Sequence, residues 1–317
     1  MDRKLNRRDF LKKSAGTGAA ALIGGGLAWP RSGTDLSRSA ISEFPDVAVV
    51  QGQDYLTNTR KAVDLVGGIA RFVPKNARVA ILPNTQSAHP GTFTKPDIVR
   101  AVVRMCKAAG ASEVNCLSWL PEKFWTATGL AGVLKEEGAE LKIVDLKAEA
   151  LFKPVALPKG KILREAMIMK EFFDNDCLIN LPITKDHAGN KFTGAMKNLM
   201  GLNFAQVNRT FHSGDFKTNP DDIDRLDQCI ADLNLAVKPV LSIVDATEFI
   251  TTNGPFGPGE LAAPRKIVVG VDRIAVDSYC ASLRGFKGQE ILMIKKGYEH
   301  GLGEIDLKKV RIQEIAV

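Results

Sequence analysis

What this chain lacks narrows its chemistry first. Its five cysteines, Cys106, Cys116, Cys177, Cys229 and Cys280, include no C-x-x-C and no close pair, so the chain holds no ferredoxin-type iron–sulfur motif. A dispersed, odd-numbered set of thiols fits buried side chains better than a disulfide framework. Walker A, G-x-G-x-x-G, G-x-S-x-G and H-x-E-x-x-H patterns are missing, which removes the familiar nucleotide-loop, serine-hydrolase and zinc-protease readings. Neither an internal repeat nor a low-complexity tract interrupts the 317 residues. Histidine is scarce: His89, His187, His212 and His300 are the whole set.

Charge excludes a further class. The formal net charge is +7, but the first forty residues carry eight Lys/Arg against three Asp. The remainder is nearly neutral and has no basic stripe interleaved with aromatics, so nucleic acid is not an expected partner. Those forty residues read as an export segment. Asn6-Arg7-Arg8-Asp9-Phe10-Leu11-Lys12 has the arginine pair and the Phe-Leu-Lys of a twin-arginine signal, followed by a weakly apolar, glycine-rich stretch over residues 19–28. That stretch is too short for a stable membrane span. The twin-arginine translocase is therefore an expected partner and the periplasm the expected destination, with membrane contact only through an uncleaved signal. Residues 1–40 are read as this signal and 41–317 as the working domain, its core over residues 79–283.

At 45% hydrophobic and 25% charged residues, the composition is that of a globular protein, and the length allows one large core or two lobes. Apolar runs predict strands over residues 79–82, 114–117, 141–144, 177–181, 240–245 and 267–271. Helical spacing predicts helices from Pro96 to just before Gly110, over residues 128–137, over 221–235 with Ile223, Leu226, Ile230 and Leu233 in register, and from Ile274 onward. Residues 209–213 read as a loop, and 153–170 give no clear pattern. Strands alternating with helices imply an α/β fold with a largely parallel sheet and flanking helices. In such sheets ligands sit beyond the C-terminal strand ends. Asn84, Asp245, Asp272 and the loop over residues 185–191 all follow strands, so they are expected at one edge.

The most informative stretch is residues 176–201, DCLINLPITKDHAGNKFTGAMKNLMG. A buried strand ends at Pro182, and a polar loop carries Lys185, Asp186, His187, Asn190 and Lys191. Thr193 then stands where an N-cap belongs, before a helix expected to end at Gly201. Lysine near a helix N-terminus opposes the macrodipole at about 0.3–1 kcal/mol, so Lys185, Lys191 and Lys197 together suggest a bound anion. Of the histidines, His300 suits a helix C-cap, while His187 and His212 flank the lysine-bearing helix as candidate bases or metal ligands.

These residues resemble the domain-of-unknown-function family 362 over about residues 79–283. The resemblance rests on Pro83-Asn84, on Asn180-Leu181-Pro182 through Lys185-x-His187 with Thr193-Gly194-Ala195-x-Lys197-Asn198-x-x-Gly201, on Asp245 with Asn253-Gly254-Pro255-x-Gly257, and on Asp272-x-x-Ala275-Val276-Asp277. Leu82 and Ile183 stand where the family pattern usually has lysine. The arrangement of histidine, glycine and lysine is also similar to that of the nickel-pincer lactate racemase group, which implies lysine as a cofactor holder and histidines that ligate metal and move a proton.

The expectation is an exported enzyme acting on a small anionic carboxylate by acid–base chemistry, racemase-like or otherwise, with a metal as an optional aid. His187, Lys185 and Lys197 are the candidate catalytic residues. Asn84, Thr193, Gly194, Asn198, His212 and Asn253 are candidate substrate contacts, and Asp245 with Asp272 a candidate cation site. The alternatives are a periplasmic ligand- or cofactor-binding protein without turnover and an accessory to a redox complex.

Overall fold

Strand β1 (Val47–Gln51) opens the part of the chain that the computed structural model describes, residues 43–317. The predicted twin-arginine segment lies outside the described residues. The ladder continues with β2 (Arg78–Pro83), β3 (Glu113–Ser118), β4 (Glu140–Ile143), the hairpin of β5 (Phe152–Ala156) and β6 (Glu165–Met169), and β7 (Cys177–Leu181). Then follow β8 (Leu241–Ala246), the short pair β9 (Phe249–Ile250) and β10 (Leu261–Ala262), β11 (Lys266–Gly270) and β12 (Ile312–Ala316). Eight of these strands form one sheet in the order β12-β1-β11-β8-β7-β2-β3-β4. The strands from β4 through β8 are mutually parallel, β11 runs antiparallel to both its neighbours, and β12 pairs parallel with β1. The described residues form a single unit about this sheet rather than two lobes.

Alternation along each strand divides the sheet's two faces. Cys177, Ile179 and Leu181 of β7 join Val79 and Ile81 of β2 in the main core, against the helices Tyr55–Leu65, Pro96–Ala108 and Leu130–Glu136. The helix Pro96–Ala108 has proline in its first turn, where a missing N–H costs nothing. It buries Ile98, Val99, Val102, Val103 and Cys106, each large aliphatic contributing roughly 1.5–3 kcal/mol. The opposite face turns Asn180 toward a second layer, which contains the helices Ala195–Asn198, Pro220–Leu233 and Arg273–Ser282. All five cysteines are buried and free.

The sequence reading left β1, β12 and the helix Tyr55–Leu65 unassigned. The helix Ala205–Phe211 runs into the loop expected over residues 209–213, and tertiary packing of Ala205, Asn208 and Phe211 supplies what a short segment lacks in propensity. Residues 153–170, unreadable from pattern, form most of the β5–β6 hairpin. The antiparallel setting of β11 has the larger consequence. Gly270 pairs with Ser242 at the start of β8, so Asp272 lies at the opposite end of the sheet from Asp245, and the expectation that both share one edge is corrected.

Candidate functional site

The site grows from the C-terminal ends of β2, β3 and β7. Past Pro182 the chain stays locked to its neighbours. Ile183 bridges to Asp245, and Lys185 and Thr193 exchange backbone hydrogen bonds of 3.3 and 2.9 Å. The Asp186 N–H donates to the Ile250 carbonyl at 2.9 Å. The Asp186 carboxylate accepts from the Gly254 N–H at 2.9 Å and from Arg284 Nη2 at 2.8 Å. Gly254 approaches so closely that a Cβ there would fall 1.9 Å from the Asp186 carbonyl oxygen. His187 is thereby held between two segments that are far apart in sequence.

The helix carrying Lys197 departs from expectation. It spans Ala195–Asn198, continues as a 3₁₀ turn over Leu199–Leu202, and has Gly194 rather than Thr193 at its N-cap. Its free N–H groups are occupied from within the chain: buried Asp277 accepts from Ala195 N at 2.6 Å and from Met196 N at 2.9 Å. The acceptor at this helix terminus is therefore a side chain of the protein, a carboxyl that burial pushes up to about 7. Gly194 serves that contact, because a Cβ would lie 2.3 Å from Asp277 Oδ1.

Lys197 instead points its chemistry into a cavity of about 410 Å³. Asn84, His187, Thr193, Asn198 and His212 line it together with Lys197. Lys197 is 8% exposed and its Nζ has no hydrogen-bond partner. Burial pushes this ammonium down to about 7, against the opposing charge of Asp227. Asp227 is itself buried, accepts from Asn190 Nδ2 at 3.0 Å on one oxygen, and leaves the other unpartnered. Burial raises its carboxyl to about 7, while Lys197 pulls it down.

The two imidazoles are fixed as neutral bases of defined tautomer. His187 Nδ1 lies 2.7 Å from the Ala188 carbonyl and His212 Nδ1 lies 2.9 Å from the Asn208 carbonyl. A carbonyl only accepts, so each Nδ1 carries the proton and each Nε2 keeps its lone pair. Burial, then the neighbouring Lys197 charge, holds His187 well below its ordinary value and brings His212 down to about 4. Their ring centroids are 6.2 Å apart.

Lys185 does not line the cavity. It is fully buried, and its Nζ donates to Asn84 Oδ1 at 3.1 Å and to the Thr92 carbonyl at 2.7 Å. Burial lowers it to about 7, with Lys197 adding to the effect. From Asn84 the hydrogen bonds continue: its Nδ2 donates to Asn198 Oδ1 at 3.1 Å, and Asn198 Nδ2 donates to Asn180 Oδ1 and to the Leu82 carbonyl, both at 2.8 Å. Each amide is oriented by the one before it, so Lys185 sets the wall of the cavity from behind rather than touching what the cavity holds.

The remaining sequence candidates have structural positions. Asp245 is fully buried and saturated by Thr247 N, Thr247 Oγ1 and Lys95 N. Asp272 caps the helix Arg273–Ser282 through Ile274 N and Ala275 N and also receives Glu304 N. At opposite ends of the sheet they form no common cation site, and among the described residues no group of three or more His, Cys, Asp or Glu converges as a metal site would. Two imidazoles fall short of the three protein ligands of a typical catalytic zinc site. Asn253 adopts a left-handed turn (φ 57°) and donates to the Pro258 carbonyl, outside the cavity. Lys191 is exposed, His89 is exposed, and His300 follows its helix as a C-cap with Nε2 on Asp232 at 2.7 Å.

Sequence reasoning missed Asp227, Asn190, Asn208, Trp119, Trp125, Phe216 and Phe256. A signal for Asp227 was present: it sits four residues after Ile223 and three before Ile230, a carboxylate on the apolar face of its helix. The aromatic residues come from three separate loops and helices, and no local pattern joins them.

The fold is that of an α/β protein with a cavity at the strand ends of a largely parallel sheet. Residues 79–282 match the family model "Domain of unknown function (DUF362)", more than half of the chain, and the protein belongs to that family. It is similar to the thylakoid-associated protein sll1697 of Synechocystis sp., at 28% identity over 224 residues, covering 66% of this chain and 65% of that one. A solved structure, the lactate racemase apoprotein from Thermoanaerobacterium thermosaccharolyticum, superposes with a TM-score of 0.47 at 14% identity, covering 68% of this chain and 54% of that one. The chain thus spans just under two thirds of the length of the first relative and about half of the second.

Proposed function

We propose that the cavity is the active site of an enzyme acting on an anionic, carboxylate-bearing substrate. The observation that carries this reading is the buried, unpartnered Lys197 ammonium facing the cavity beside two neutral imidazoles. A buried ammonium without a hydrogen-bond partner is costly, and the acid coupled to it, Asp227, is itself pushed toward its neutral form, so an anion in the cavity would supply a charge-assisted hydrogen bond. Asn84 and Asn198, held rigid by their own hydrogen bonds, would orient it. His187 and His212, each with Nε2 free, would accept or return a proton on the bound substrate. The donor set does not fit a resident metal ion, and proton movement by these side chains is the chemistry proposed.

A second reading, ligand binding without turnover, is favoured by one observation. Both imidazoles are held below the range in which a general base works best near neutral pH. Two measurements separate the readings. Succinate and inorganic phosphate should raise the melting temperature of the wild-type protein and leave Lys197→Met unaffected under either one. Deuterium incorporation from D₂O at the α-carbon of a panel of 2-hydroxy and arylacetic acids, lost in His187→Gln, supports the enzyme, and its absence across the panel supports the binding protein. We also propose delivery across the membrane by the twin-arginine route, on the strength of Arg7, Arg8 and the residues after them.

A further inference from the structure

The cavity is larger and more aromatic than a small dicarboxylate needs. At about 410 Å³ it falls within the roughly 300–1,000 Å³ of pockets that enclose drug-sized ligands. Polar side chains line it from several elements, among them Asn84, Ser118, His187, Lys197, Asn208 and Lys217, and between them stand Trp119, Trp125, Phe216 and Phe256, with Leu120 and Met200. Aromatic rings on several sides favour a flat apolar body, which stacks or meets ring edges at a gain beyond its buried area. One further group stands out in this lining. Trp119 Nε1 is buried and has no hydrogen-bond partner, although Trp125 Nε1, nearby, donates to Ser118 Oγ at 3.2 Å. Trp119 follows the end of β3, while His187 follows β7, with β2 between them. Two strand spacings separate these ends, roughly 10 Å.

We infer that the cavity takes an aryl carboxylate of about two fused rings, its acid group on Lys197 and a hydrogen-bond acceptor at its far end on Trp119 Nε1. This rests on the reading of Lys197 as an anion-holding residue and adds the nature of the body attached to that anion. The two unpartnered donors, one charged and one neutral, both belong to residues that line this largely apolar cavity. A ligand spanning them satisfies both at once, whereas acetate or phosphate reaches only the first.

Isothermal titration of the full chain with acetate, benzoate, 2-naphthoate and 6-methoxy-2-naphthoate tests this. The expected result is 2-naphthoate at least about thirtyfold tighter than acetate, since each buried apolar carbon adds to affinity. The methoxy compound should be tighter again by about fivefold, the scale of one hydrogen bond. Trp119→Phe, which keeps a ring and removes the N–H, should erase the methoxy preference while 2-naphthoate still binds. Lys197→Met should weaken every acid in the series. Equal affinity for acetate and 2-naphthoate, both dependent on Lys197, would overturn the aryl inference and leave the anion site standing. Tight 2-naphthoate binding that survives Lys197→Met would overturn both, as would a series in which no acid binds. A methoxy preference retained by Trp119→Phe would remove Trp119 from the far end.

Discussion

Raising the pH should empty this cavity of anions, and the size of the effect follows from Lys197. Burial brings its ammonium down to about 7, so the cation that an anion needs is present below that pH and disappears above it. Asp227 titrates in the same range. Its carboxyl, raised to about 7, is neutral below that value and becomes a competing negative charge above it. Between about pH 6 and about pH 9 the Lys197 cation is lost, and anion affinity should fall by about tenfold or more. Ionised Asp227 competes with a bound anion and at the same time helps Lys197 keep its proton, so the two groups titrate as a pair. Benzenesulfonate is a suitable probe because its own charge is constant over the range, and Trp119 and Trp125 in the cavity wall give a fluorescence readout. Lys197→Met should abolish binding at every pH. In the ligand-free protein the substitution removes a cation whose burial costs stability below its unfolded pKa, and it also removes the charge that faces buried Asp227. An affinity that does not change from pH 6 to pH 9, or a Lys197→Met protein that binds as well as wild type, would refute this account.

Three further outcomes are expected. Asp277→Ala should destabilise the protein by about 2–4 kcal/mol in urea denaturation, because two buried N–H groups of the Ala195–Asn198 helix lose their acceptor; Asp277→Asn, which keeps one acceptor oxygen, should cost less. Lys185→Met should lower anion affinity only about tenfold, since Lys185 acts through Asn84 and one mispositioned hydrogen bond is worth roughly a kcal/mol; a loss as complete as that of Lys197→Met would mean direct contact with the ligand. Arg7→Lys with Arg8→Lys should leave folded protein in the cytoplasm, and unchanged periplasmic delivery in a fractionation experiment would show that the segment is not a twin-arginine signal.

The sequence by itself determined six of the eight strands of the main sheet, all but β1 and β12, and most of the long helices, because those depend on local periodicity. Runs such as residues 177–181 bury on both faces, and the spacing of Ile98, Val99, Val102 and Val103 allows one helical face and no alternating strand. It also marked Lys197, His187, His212, Asn84 and Asn198, which the fold brings to one cavity. What only the tertiary structure decided was relative direction and distance. A strand's direction in a sheet is set by its neighbours and connections, so nothing within residues 266–270 could show that β11 runs backwards and carries Asp272 away from the site. The same holds for the occupant of the Ala195–Asn198 helix terminus. Asp277 is 82 residues from Ala195, and a free N–H and a capped one are identical in sequence. Lys185 and Lys197 are alike in type and twelve positions apart, yet one donates to Asn84 and Thr92 and the other has no partner. That difference depends on which carbonyls and amides lie within about 3 Å of each Nζ, a quantity fixed only once the chain has closed around them.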